Sequence, residues 1–145
     1  MLYQTESSMT KISIAICIFL LSLSCHSQAG KTIAQLDKEH QKCLDTGNNM
    51  ANCSFEYYSK MDNLLNTTYK KIRLTLSQDE QQKLKTLQIA WLKKRDAYFK
   101  QVQKETAKTL DGDHESQDYR MICSNENALF VKDRIIVLEQ NYLKK

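Results

Sequence analysis

The sequence predicts an all-α protein: a small bundle of three to four helices, built on a long antiparallel helical hairpin and supported by a disulfide. Three observations carry this. Proline is absent from all 145 residues, and the three glycines, Gly30, Gly47 and Gly112, stand where segments should end, so nothing interrupts long helices. Apolar residues recur at steps of three and four. No alternating strand pattern of useful length and no internal repeat is present.

Taken in order, the first 29 residues are read apart from the fold. Lys11 precedes the apolar run Ile12 to Leu23, and the small-residue site Ser27, Gln28, Ala29 follows, which is the pattern of a secretory signal peptide. The run falls short of the roughly 20 apolar residues that span a bilayer. Glu6 is foreign to such a leader, so Met9 is the natural start. A lipoprotein signal ending at Cys25 fits poorly, because Ser22 stands where an aliphatic residue is wanted. Cleavage before Gly30 leaves 116 residues, 30–145, enough for one domain with a modest core. The expected location is the periplasm or beyond, with no stable membrane insertion after cleavage.

Within that domain, Lys31 to Asp45 reads as a first helix with Ile33, Leu36, His40 and Cys43 or Leu44 on one face. A second runs from about Met50 to Leu76, with Cys53, Tyr57, Met61, Leu64 or Leu65, Tyr69, Ile72 and Leu76 as its apolar stripe. Ser77 and Glu80 form a capping box that opens a third helix. It continues to about Lys108 through Leu84, Leu87, Trp91, Tyr98 and Val102. After the turn at Asp111 to Glu115, a fourth spans about Gln117 to Leu143, with Ile122, Cys123, Phe130, Ile135, Leu138 and Tyr142 inward. Helices two and three form the hairpin.

Polar residues interrupt this pattern at helical spacing. Asp62, Asn66 and Tyr69 share one stripe, and Gln88, Trp91 and Arg95, with Asp96 beside them, share another. An Asn inside a helix competes with the backbone for hydrogen bonds, and an aromatic set among Gln and Arg suggests a satisfied contact between packed helices. These seven residues are read first as a structural polar network and second as a partner-contact surface.

Export places Cys43, Cys53 and Cys123 in an oxidising compartment. Cys43 and Cys53 bracket the turn-like Thr46, Gly47, Asn48, Asn49, so a bridge there would staple helix one to helix two, worth roughly 3 kcal/mol in the chain-entropy model. Cys123 is then a buried free thiol; the alternative pairs it with one of the other two. No two cysteines have the short spacing of structural zinc. The domain carries 20 basic and 16 acidic side chains, dispersed along helices without the concentrated stripe of nucleic-acid binding. His40 and His114 lie near no nucleophile motif, which argues against a hydrolase triad. An EF-hand reading of the Asp111 turn fails, with Ser116 and Ile122 where glycine and glutamate are required. No metal, no cofactor and no enzymatic activity is expected. The glycosylation sequons at Asn52 and Asn66 would matter only in a eukaryotic secretory pathway. Asp111, Asp113 and Glu115, with Asp118 nearby, could enter a basic cleft on another protein, or be a solvated turn.

The chain resembles the bacterial lysozyme-inhibitor LprI-like N-terminal domain family. The resemblance rests on Cys43, Met50, Asn52, Cys53, Tyr57, Asp62, Leu65, Asn66 and Tyr69. It continues through Leu84, Gln88, Trp91, Leu92, Arg95 and Asp96 to Arg134 and Leu138. Many relatives carry a further cysteine where this chain has Tyr98 and Phe99, which leaves Cys123 without that partner. Leu129, Phe130 and Val131 also depart from the family's small-residue pattern before the last arginine. The resemblance implies an exported helical protein that binds and occludes a peptidoglycan hydrolase such as lysozyme. Asp111, Asp113 and Glu115 would meet the hydrolase's rim, and no covalent chemistry is involved. Rival readings are a periplasmic immunity protein against a delivered cell-wall-degrading toxin, and an envelope interaction module with another partner. Function need not transfer across such a family.

Overall fold

The computed structural model describes residues 32–143, so the signal-peptide and Cys25 readings lie outside the described residues. Four helices follow in order: α1 (Ile33–Leu44), α2 (Met50–Thr75), α3 (Gln78–Thr109) and α4 (Gln117–Tyr142), with no strand among the described residues.

Local chemistry sets their ends. Ser77 Oγ accepts from the Glu80 N–H at 3.4 Å while Glu80 Oε2 accepts from the Ser77 N–H at 2.9 Å, so two orphan amides at the start of α3 are satisfied reciprocally. Thr32 and Gln35 repeat the device at α1. Between α1 and α2 the chain turns through left-handed backbone at Gly47 (φ 67°) and Asn49 (φ 51°), conformations that glycine and asparagine adopt at least cost.

The contacts give the directions. Tyr58 meets Phe99 and Asp62 meets Arg95, while Arg73 meets Gln81 nearer the hinge, so α2 and α3 form an antiparallel hairpin joined by Leu76 and Ser77. Tyr98 with Glu126 and Gln88 with Arg134 make α3 and α4 antiparallel in turn. Helices α2 and α4 therefore run parallel, and they are the most extensively packed pair. Small buried residues, Ser54 on α2 and Ala128 on α4, sit among their packed positions, while α3 reaches α2 through long side chains. Helix α1 lies antiparallel to α2 through Ser54 and Tyr57, and Lys132 ties it to α4.

The core is a cluster including Leu36, Tyr57, Met61, Leu65, Ile72, Leu84, Val131, Ile135 and Leu138. Burial of each large aliphatic side chain contributes roughly 1.5–3 kcal/mol. The stripe of α2 runs Ser54, Tyr57, Met61, Leu65, Thr68, Ile72, so Thr68 takes the buried place assigned to Tyr69, which is half-buried beside it. Leu87, expected inward, is 55% exposed. At that turn the inward edge of α3 is held by Gln88, whose Oε1 accepts from Arg134. Ile122, Phe130 and Tyr142 are half-buried. Cys43 and Cys53 form a disulfide with Cα atoms 5.8 Å apart, and Cys123 is a buried free thiol.

Candidate functional site

Because α2 and α4 are parallel, the α1–α2 loop and the α3–α4 turn lie at the same end of the bundle, beside the disulfide. The turn is built stepwise. Asp111 (φ 53°) and Gly112 (φ 86°) take left-handed backbone, and the Gly112 N–H closes back on the Ala107 carbonyl at 2.8 Å, ending α3. Asp113 Oδ1 accepts from the N–H groups of Glu115 (2.8 Å) and Ser116 (2.9 Å), and these amides hold its carboxyl below the usual carboxylate range. Ser116 then caps α4 through the Tyr119 N–H, and His114 meets the Tyr119 ring edge-on at 5.3 Å. Asp111, Asp113 and Glu115 are all exposed. Asp113 is engaged in shaping the turn, while Asp111 and Glu115 present their charge to solvent.

Six of the seven residues of the two polar stripes gather along the α2–α3–α4 seam, and Tyr69 is set apart. Arg95 donates to Asp96 Oδ1 from Nε (3.0 Å) and Nη2 (2.7 Å), and its Nη1 lies 4.0 Å from Asp62. Asn66 Nδ2 donates to Asp62 at 3.2 Å. Arg134 forks onto Gln88 Oε1 at 3.0 and 2.9 Å. Both guanidiniums stand over Trp91, at 5.9 Å for Arg95 and 5.7 Å for Arg134, within cation–π range. Phe130 stacks on Trp91 and on Tyr98. Tyr69 meets Arg73 instead. Asn66 is exposed, and the Asp96 side chain is 59% exposed against 24% for Arg95, so Asn66 and Asp96 sit at the rim of the seam, while Asp62, Gln88, Trp91 and Arg95 are half-buried. Arg134 and Phe130, the α4 contributions, were outside the sequence-level network because spacing within one helix gives no view of another.

A second cluster joins α1 to the central pair. His40 stacks on Tyr57 with centroids 4.2 Å apart, and its Nε2 lies 3.4 Å from Ser54 Oγ, a pairing across two helices that no local sequence motif announces. Asp37 accepts from Tyr57 Oη (2.6 Å) and Lys132 Nζ (2.8 Å). Burial raises the Asp37 pKa, but the Lys132 and Tyr57 hydrogen bonds outweigh it and the net shift is downward. Burial likewise lowers that of His40 against the opposing pull of Asp37. Histidine, serine and aspartate meet here, yet Ser54 is 1% exposed and the Asp37 hydrogen bonds go to Tyr57 and Lys132. The arrangement fastens a helix and offers no accessible nucleophile. Among the described residues no group of three or more His, Cys, Asp or Glu is placed to hold a metal ion, and no helix is long and apolar enough to cross a membrane.

Neither a curated protein nor a solved structure matches the chain. A family model described as lysozyme inhibitor LprI matches residues 38–138. That span takes in most of α1, all of α2 and α3 and most of α4, and with them the disulfide, the Trp91 seam and the acidic turn. The chain belongs to the lysozyme inhibitor LprI family.

Proposed function

We propose that this protein is exported and binds a peptidoglycan hydrolase of the lysozyme type, occluding its cleft without covalent chemistry. The observation that carries the reading is the family match over residues 38–138. The acidic turn supports it as the contact element. Its shape is held by Asp113 and by two left-handed residues, so little conformational entropy is lost when it docks, and Asp111 and Glu115 stand exposed on it. A net charge of +4 gives no long-range attraction to a basic hydrolase, so recognition is local and association proceeds at rates of about 10⁵–10⁶ M⁻¹s⁻¹, without steering.

The test is a cell-wall clearance assay with the purified protein against c-, g- and i-type lysozymes and peptidoglycan amidases. Saturable inhibition of one class is expected, and an absence of inhibition across the panel overturns the reading. Asp111→Asn combined with Glu115→Gln should weaken that inhibition about tenfold or more at an unchanged melting temperature. Asp113→Ala should lower the melting temperature as well, because it strips two backbone amides of their acceptor.

A further inference from the structure

Between the N-terminal halves of α2 and α4 and the C-terminal half of α3 lies a groove of about 570 Å³, within the size range of small-molecule sites. Its chemistry departs from that of the chain. A quarter of all residues are charged, yet of the twelve that line the groove only Arg120 is. Five are carboxamides: Asn49, Asn52, Gln103, Gln117 and Asn127. Three are aromatic, Phe55, Tyr58 and Tyr119, and Phe55 stands 60% exposed, although an exposed phenyl ring gains nothing from water. Two polar groups are under-used. Asn127 Oδ1 is buried with no donor among the described residues, and Asn49 caps α2 without a side-chain hydrogen bond.

We propose that this groove binds a neutral oligosaccharide bearing acetamido groups. An ionic ligand would find one counter-charge. A wholly apolar ligand would strip water from exposed carboxamides such as Asn49, Gln103 and Gln117, and return no hydrogen bond. A sugar hydroxyl donates and accepts at once, and a carboxamide answers both roles. The C–H face of a pyranose ring covers an aromatic face such as that of Phe55. An acetamido group adds an amide that pairs with Asn or Gln and a methyl that rests on the apolar wall. The lining contains no carboxylate, so the groove holds the sugar without the acid–base pair that would cleave it. This site is independent of hydrolase inhibition, and either activity can fail alone.

Isothermal titration of the purified protein with chitotetraose, and with cellotetraose as the analogue lacking acetamido groups, tests it. Saturable chitotetraose binding is expected, at least about tenfold tighter than cellotetraose. Phe55→Ala and Gln103→Ala, both at exposed positions and so folding normally by circular dichroism, should each weaken it about tenfold. No saturable binding up to about 10 mM, equal binding of the two sugars, or binding unmoved by both substitutions overturns the proposal. Clearance inhibition measured on the same variants separates this result from the inhibitor reading.

Discussion

Trp91 shows how a single position gathers the molecule's interactions: two guanidiniums at its faces and Phe130 stacked beyond. Removing the indole leaves a cavity and takes from Arg134 its π surface, while Arg95 keeps only the Phe99 ring at 5.7 Å. Trp91→Ala should therefore cost about 2–4 kcal/mol in urea denaturation. Asn66→Ala, at an exposed position with one partner, should change stability by no more than about 0.5 kcal/mol. The two residues carry equal weight in the sequence pattern, because helical spacing reports that side chains share a stripe and says nothing of their depth. At His40 the same scale gives a pH effect. Folding lowers the pKa of His40 from its ordinary 6.5 and that of Asp37 from 3.8. For a lowered pKa, the stabilising contribution is complete above the unfolded value and disappears as pH falls through the folded one. Stability should thus decline first below about pH 6.5 and again below about pH 3.8. His40→Gln should flatten the first step, as read by denaturation midpoints at successive pH values.

At the scale of the element, helix ends were the most legible part of the sequence. Ser77 with Glu80, the break at Gly47 and the turn at Gly112 announce themselves through chemistry that acts within a few residues, and the helix bounds follow. Ser77→Ala should cost about 1 kcal/mol, visible as a shift in the urea midpoint at unchanged slope. The Cys43–Cys53 bridge closes a separation of ten residues and should contribute roughly 3 kcal/mol. Denaturation with and without reductant measures it. Because Asp37, Tyr57, His40 and Lys132 also hold α1, the reduced protein should keep its helical signal at low denaturant.

For the whole molecule, what the sequence could not convey was partnership. Periodicity marks the apolar side of each helix and is silent on which neighbour covers it, so the hairpin of α2 and α3 was visible while the closer parallel pairing of α2 with α4 was not. The aromatic seam and the carboxamide groove escaped for the same reason, since each draws residues from three helices far apart in the chain. That parallel pairing also has a consequence for when the protein can fold. Met61, Leu65 and Ile72 wait for Val131, Ile135 and Leu138, so the core assembles only after the final helix is available. A chain that threads through a narrow passage with its amino end leading would remain open, disulfide ring closed or not, until its last segment came through. Deleting Gln117–Tyr142 should accordingly leave a polypeptide without cooperative melting. A protein so ordered becomes firm only once its last helix is in place.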